Sequence, residues 1–484
     1  MTTLARVPRA RTSRVSGFAK LTPAQRRARL QELGWLKPEA ARRLEAPLCD
    51  EPVADTMIEN VIGVHALPMA VAMNFRVDGV DRVIPMSVEE PSIVAACSYA
   101  ARMAGEGGGF TTEADAPVLT AQVQLLDVPD VVAAAEAVRA ASAELLAAGD
   151  ALIPAMVARG GGLREVEARI LEADQLVVHL HVDCRDAMGA NTVNVIAEAL
   201  APQLAALTGG RVGLRILTNL SDRRKVTVRC AVPFSALASE GWPDGRVVAE
   251  RIVEAQRFAE ADPYRAVTHN KGVMNGVDAV LVAFGNDWRA VEAGAHAWAA
   301  RHGRYGPLTS WAVEGEALVG SLTLPLATST VGGAARTHEG VKLALELSGV
   351  ASATELAGLA AAAGLASNLA ALKALSTEGI IRGHMELHAR RIAVEVGATE
   401  ELVEPIAAQL SRERCWRPER ALELLAQHAQ RMAREAGATE ALVDELAAQL
   451  LAERALTPGR ARELLRIRLG DGAAGALERS RGAA

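Results

Sequence analysis

Residues 388–425 recur, little changed, 40 residues later as residues 428–465. The first copy begins HARRIAVEVGATEELVEPIAAQL and the second HAQRMAREAGATEALVDELAAQL, and 23 of the 38 aligned positions are identical. No other feature limits folding as tightly, because a duplicated stretch of this length must be one small unit folded twice. Each copy carries Gly-Ala-Thr-Glu, in which a glycine stops one helix and a threonine opens the next. Each then runs through Ala-Ala-Gln-Leu into a new helix with Pro418 or Pro458 at its first position. A solenoid needs about three repeats, so two copies read as a tandem duplication of a helical unit.

Upstream of Val341, strand and helix patterns alternate. Thr22 caps a helix that Pro23 opens and that runs through Ala24–Leu33. Val71–Val77 and Arg82–Val88 flank Asp78-Gly79, a hairpin signal, and an Ala-rich helix follows at Ile93–Ala104. Gln122–Leu126 and Leu176–Val182 read as strands around a long helix, Val131–Ala148. A helix after Asn191 and the strand-like Arg211–Leu217 complete a compact α+β unit inserted between about Ala116 and Ser221, and Lys225–Val232 is strand-like beyond it. The Val-rich run Ala279–Phe284, ending at Gly285, is expected to be a buried strand, with a helix from Trp288 to Ala300. From Val341 the chain is helical. At 484 residues it exceeds one small core, so two or three domains are expected.

Composition removes several functional classes. A net charge of −6 and the lack of a Lys/Arg stripe interleaved with aromatics argue against a nucleic-acid surface. Five scattered cysteines without CxxC spacing give neither a disulfide framework nor a zinc knuckle, and favour a reducing compartment. No uninterrupted apolar stretch approaches the roughly 20 residues of a membrane span. Arg6, Arg9, Arg11, Arg14 and Lys20 read as a basic tail rather than a transit peptide, with the cytoplasm as the expected location.

Four places could hold chemistry. Lys271 and Asp287 bracket the expected strand, and such charges are costly to bury unpaired. They are therefore either a structural ion pair or a working one, and Asp287 can also be a helix N-cap. Glu89-Glu90 stands between a strand and a helix, so one carboxylate can face inward as an acid, or both can simply favour the helix dipole. His384 and His388 share a helix face at metal-ligand spacing, without an evident third ligand. His179, His181 and Asp183 alternate onto one face of a strand, a pattern that a half-polar sheet surface also produces. For nucleotides there is no GxGxxG after a strand and no GxxxxGK[ST]. Asp186-Ala187-Met188-Gly189-Ala190-Asn191, between a strand and a helix, and Gly332-Gly333 are places where backbone could approach a phosphate.

Together these segments resemble the class II, bacterial type of 3-hydroxy-3-methylglutaryl-coenzyme A reductase. The likeness spans about Leu21 to Ala426 through Glu59-Asn60-Val61-Ile62-Gly63, Val88–Ser92, Asp186–Asn191, Asp262–Lys271, Gly285-Asn286-Asp287, Thr330–Gly333 and Gly383-His384-Met385, in that order. The resemblance implies an α+β fold. It comprises a large, mainly helical coenzyme A and dimerisation domain with a central sheet (17–116 and 222–377) and an inserted small, antiparallel, non-Rossmann dinucleotide domain (117–221). A C-terminal flap (378–427) follows, then in this chain a second flap-like repeat (428–470), between a disordered basic tail (1–16) and a flexible end (471–484).

It also implies a reaction, the interconversion of hydroxymethylglutaryl-coenzyme A with mevalonate and coenzyme A by two hydride transfers, in either physiological direction. Glu90 would protonate the mevaldyl oxygen, and Lys271 would stabilise the oxyanion. Asp287 would hold both in register, and His384 would protonate the departing thiolate. No metal is required. Ser92, Arg265, Asn275 and Asn368 would contact the hydroxymethylglutaryl portion. Asp186, Ala187, Met188, Gly189, Ala190 and Asn191, with Gly332 and Gly333, would hold the cofactor. Asp150 matches an acidic position that bonds the adenosine ribose, which favours NAD(H) over NADP(H), although Arg159 and Arg164 lie nearby in sequence. The active site would lie at a homodimer interface, within an assembly as large as a hexamer. Two features depart from the family. Phe18-Ala19 stands where some members carry a basic residue, and Leu424 replaces the catalytic histidine in the second copy, which is therefore expected to be non-catalytic.

Overall fold

The computed structural model describes residues 11–469, apart from the side chains of 380–387. The ends of both expected tails, residues 1–10 and 470–484, lie outside it, as does the side chain of His384. The chain forms two compact units, one ending at Thr377 and one beginning at Glu378.

The first unit opens with α1 (Pro23–Glu32), where Thr22 and Gln25 form a reciprocal capping box. The hairpin β1 (Met69–Val77) and β2 (Val80–Ser87) turns at Asp78-Gly79, with both residues at positive φ. Then come α2 (Ile93–Glu106), β3 (Phe110–Ala114) and β4 (Val118–Leu126). The expected helix Val131–Ala148 is two helices, α3 (Val131–Ala140) and α4 (Ser142–Leu152), separated at Ala141. After β5 (Gly162–Glu172), β6 (Gln175–Asp183), α5 (Ala190–Thr208) and β7 (Arg211–Leu217), the chain enters β8 (Lys225–Pro233).

Beyond β8 the unit contains, among other helices, α6 (Pro263–Ala283) and α7 (Trp288–Ala299), the strands β9 (Thr309–Glu314) and β10 (Ala317–Pro325), and α8 (Ala353–Ser376). The strand expected at Ala279–Phe284 is instead the end of α6, which Asp262 caps and Pro263 opens. Its Val-rich close is buried on most sides, so the helical period is hidden, and Gly272 and Gly276 further weaken the helix pattern. Gly276 has a packing reason. A Cβ on Gly276 would lie 2.3 Å from the Ala363 carbonyl oxygen of α8, so only glycine allows the two backbones to meet.

Two sheets organise this unit. The larger has the order β2-β1-β3-β8-β10-β9, antiparallel except where β1 meets β3. Its core includes Phe75 stacked on Phe110 and the apolar faces of α2, α6 and α8. The smaller sheet, β5-β6-β4-β7, is wholly antiparallel, which sets it apart from a Rossmann sheet. Leu176, Val178, Leu180 and Val182 pack against α3, α4 and α5, while His179 and His181 alternate to the other face. By length and composition alone α8 could cross a membrane, although Glu355, Ser367, Asn368 and Lys373 interrupt its apolar run. In the fold, 89% of its apolar window is buried.

The second unit comprises α9 (Ile380–Glu395), α10 (Glu400–Glu413), α11 (Pro418–Ala436), α12 (Glu440–Ala452) and α13 (Pro458–Leu469). Buried positions repeat with the sequence: Ile392 and Met432, Ile406 and Leu446, Leu410 and Leu450, Leu424 and Leu464 all enter one core. The copies are fused, because α11 closes the first and opens the second without a break. Gly397 and Gly437 adopt the expected left-handed conformation. Thr399 and Thr439 stand at N-cap positions with extended backbone, but neither hydroxyl caps its helix.

Candidate active site

The turn after β2 delivers Glu90, and the third turn of α6 delivers Lys271. Although 181 residues apart, they meet at 2.7 Å between Lys271 Nζ and Glu90 Oε2. Glu89 is exposed, so the two adjacent carboxylates do separate in their surroundings. The expected Lys271–Asp287 ion pair is not formed among the described residues. Asp287 caps α7 through the Ala290 amide at 3.2 Å and pairs with Arg289 at 3.1 Å. Each charge has another partner instead: Glu90 takes the Lys271 ammonium, and the Ala290 amide and Arg289 take the Asp287 carboxylate.

Around that contact are groups with unspent polarity. Ser92, the N-cap of α2, has φ +76, and its buried hydroxyl has no partner. Arg265 forms no ion pair among the described residues, and burial lowers its pKa from the usual guanidinium value. Asn275 is half-buried one turn beyond Lys271 on the same helix face. Asn368 differs from this group. It is 1% exposed, accepts from Trp311 Nε1 at 2.8 Å and donates to the His269 carbonyl at 3.5 Å. In this structure its polar atoms brace α6 from within.

The second cluster lies where β6 enters α5. Gly189 holds φ +100, and a Cβ there would meet Cys184 Sγ at 2.2 Å. No side chain caps α5, so its first amides are left without a side-chain acceptor. Asp186 ties the loop down, its carboxylate accepting from Ala353 N at 2.9 Å and its carbonyl from Thr330 N at 3.0 Å. That second bond brings the 186–191 and 330–333 loops together. Gly332 and Gly333 both have positive φ, with open space where a Cβ would stand. Asp150, near the end of α4, accepts from Leu163 N at 2.7 Å.

The histidines of β6 have protein partners. Asp183 faces Arg164 and Arg185, each 3.5 Å from its Oδ2, so it does not join the two histidines in a ligand set. Glu167 of β5 approaches instead, its Oε2 3.2 Å from His181 Nε2 and 4.0 Å from His179 Nδ1. Arg223 is 3.5 Å from the same carboxylate oxygen, so a cation of the chain itself already faces it. Burial, with Arg169 nearby, lowers the His179 pKa to about 4.

The family profile of hydroxymethylglutaryl-coenzyme A reductase matches residues 22–389. The chain belongs to this family. It is 43% identical over 424 residues to 3-hydroxy-3-methylglutaryl-coenzyme A reductase of Archaeoglobus fulgidus, covering 87% of this chain and 96% of that relative. It is 33% identical over 344 residues to a probable reductase of the same name from Borreliella burgdorferi, covering 69% and 77%. A solved reductase of Streptococcus pneumoniae superposes with a TM-score of 0.73 at 41% identity, covering 85% of this chain and 99% of that one. The class II reductase of the same organism, bound to NADPH in open conformations, gives 0.72 at 43% identity and covers 75% and 99%.

A reductase must hold a nicotinamide dinucleotide, and the 186–191 loop fits one. A tight glycine, an uncapped helix start and an adjoining loop with room at Gly332 and Gly333 are what close approach to a phosphate requires. Sequence reading missed Asn286. Its carboxamide exchanges bonds with Ser329, accepting from N at 2.6 Å and donating to O at 3.1 Å, and so fixes the 285–287 turn to the 328–333 loop. Its place beside Asp287 was the available signal. Nothing local distinguished a bracing amide from an exposed one.

Proposed function

We propose that Glu90, Lys271, Asp287 and His384 carry out hydroxymethylglutaryl-coenzyme A reduction in this chain. The Glu90–Lys271 contact supports this most directly. The pair is half-exposed, and surface ion pairs of this kind contribute only about 0–1 kcal/mol to stability. Its value therefore lies in chemistry.

The nicotinamide supplies hydride when bound. Lys271 brings an ammonium to the substrate oxygen on which negative charge develops, and Glu90, hydrogen-bonded to that ammonium, is placed to pass a proton to the same oxygen. Asp287 acts from a turn that Asn286 makes rigid by its bonds to Ser329. His384 protonates the coenzyme A thiolate. Ser92, Arg265 and Asn275 bind the hydroxymethylglutaryl portion, for which a free buried hydroxyl and an unpaired guanidinium are suitable groups. Asn368 acts one layer behind them.

Asp186–Asn191, Gly332 and Gly333 hold the cofactor. Asp150 favours NAD(H), since a carboxylate repels a 2′-phosphate. The NADPH-bound pneumococcal relative is the counter-argument. Exposed Ile62, at 102%, lies in the segment that resembles the dimerisation motif, Ile58, at 66%, directly precedes it, and both support a homodimer. Five free cysteines fit a cytoplasmic enzyme. The second helical copy is a non-catalytic extension, with a buried leucine, Leu424, in the histidine's place.

Lys271→Ala and His384→Ala should each abolish thioester reduction while mevaldehyde reduction survives the second change, because no thiolate leaves in that step. Wild-type turnover by either variant would reject the assignment. Comparison of kcat/KM with NADH and NADPH tests Asp150, and a clear NADPH preference would remove its role.

A further inference from the structure

Arg224 lies between β7 and β8, where the chain returns from the small sheet to the large one, and its side chain is buried at 5% exposure. It forms no ion pair with a carboxylate among the described residues. Its guanidinium donates to three backbone carbonyls: Ala187 at 3.3 Å, Met188 at 3.2 Å and Thr328 at 2.6 Å. The first two belong to the β6–α5 loop and the third to the segment leading to Gly332 and Gly333. Its own backbone is fixed as well, with N donating to Ser221 O at 2.9 Å and O accepting from Leu326 N at 3.0 Å.

A buried cation that hydrogen-bonds only to carbonyls, with Asp183 and Asp186 offsetting its charge only through space, is a costly way to hold two loops together, since a neutral side chain could pack there without the desolvation penalty. Its retention becomes intelligible if the charge itself is used. The carbonyls it binds lead directly to Gly189 and the uncapped start of α5. There the partial positive charge of the helix N-terminus and a fixed guanidinium behind the loop add for any anion in front of it.

We infer that Arg224 is a positioning residue for the nicotinamide cofactor. It locks the 186–191 and 328–333 loops into one cradle and supplies a permanent positive charge behind the place where the phosphates bind. This rests on the reading that the 186–191 loop holds the dinucleotide. Planar fork geometry explains why arginine is needed: one nitrogen serves the first loop and the other the second, which a single ammonium cannot reproduce.

The test is calorimetric binding of NADH and NADPH to the full chain, alongside binding of hydroxymethylglutaryl-coenzyme A. Arg224→Met should weaken both nicotinamides at least about 10-fold and leave the thioester within about two-fold. Arg224→Lys, which keeps charge but not the fork, should fall between Arg224→Met and wild type. Cofactor affinity within two-fold of wild type in Arg224→Met would overturn the inference. So would equal weakening of cofactor and thioester with a lowered melting temperature, which is what a merely structural role gives. If Arg224→Met does not fold, Arg224→Lys decides, because unchanged cofactor affinity in that variant overturns the inference equally. Gly189→Val separates the two levels. If it weakens the cofactor while the Arg224 variants do not, only the role of Arg224 fails. If it too has no effect, the loop does not bind the dinucleotide and both readings fall.

Discussion

Replacing Gly276 with alanine sets two effects of opposite sign against each other at the crossing of α6 and α8. In an isolated helix the change stabilises by about 1 kcal/mol. Here the new Cβ would stand 2.3 Å from the Ala363 carbonyl oxygen, 2.6 Å from its carbon and 2.9 Å from Gly364 N. Carbon–oxygen contacts of this kind settle near about 3.3 Å, so the helices must part by roughly 1 Å. Every obstructing atom is backbone, and no rotamer change relieves it. Overpacking typically costs about 1–3 kcal/mol, and a contact this rigid falls toward the upper end. Strain therefore exceeds propensity, and the variant should be less stable by about 1–2 kcal/mol.

The functional loss should be larger than the loss of stability. Lys271 is on the same helix, and the Ser367 hydroxyl bond to the Gly272 carbonyl, 2.7 Å long, spans the same crossing. A displacement of about 1 Å at a reacting group can cost about 100-fold in rate. Urea unfolding and steady-state kinetics of Gly276→Ala read both quantities. A variant more stable than wild type with unchanged kcat would refute the reasoning, since helix propensity alone predicts that result.

Other outcomes follow from the titrating groups and the second core. Asp278 has its pKa raised to about 8 by burial and then by Glu292. It stays protonated in the fold where the unfolded residue ionises, so its contribution is complete below about pH 4 and is lost as pH rises through about 8. Asp278→Asn should accordingly raise the melting temperature by an amount that grows between pH 5 and 8, and a pH-independent change would count against this. His269, held neutral by burial with a pKa of about 4, does the reverse. Its stabilisation is complete above about pH 6.5 and lost as pH falls toward about 4. His269→Gln should flatten the acid limb of the stability curve, and an equally steep limb would show that other groups cause it. Leu424, 5% exposed in the core that the two copies share, should cost about 2–5 kcal/mol when replaced by alanine. Hydrogen exchange should show lost protection in α11 through α13, and protection unchanged beyond α11 would mean that the copies fold separately.

Much of this molecule could be read from local rules. The Asp78-Gly79 hairpin, the Thr22 cap, the helix from Ile93, both ends of the repeat and the α+β class depend on neighbours a few residues apart. So do the composition-level exclusions. The loop 186–191 was visible as a glycine between strand and helix, and the adjacent glutamates as a charged turn, even before the family likeness gave them roles. The errors share one cause. The end of α6 reads as a strand because a helix buried on most sides loses its period, and because Gly276 is explained only by its contact with Ala363 of α8.

Residue spacing likewise did not give Lys271 its partner, and only the family likeness put it in one site with Glu90. Sixteen residues separate it from Asp287 and 181 from Glu90, yet the fold selects the distant one. Arg224 carries no motif and Asn286 was visible only as the neighbour of Asp287, and the backbone groups that give them purpose come from loops joined only in the tertiary structure. By itself, the sequence determined which segments are helix or strand wherever periodicity and capping are local, that the C-terminal unit is built twice, and which residue types are present for chemistry. The tertiary structure decided which of those residues meet, because contact across the chain depends on close packing of α6 on α8 and on two sheets brought side by side, and that information is spread over every residue in both cores.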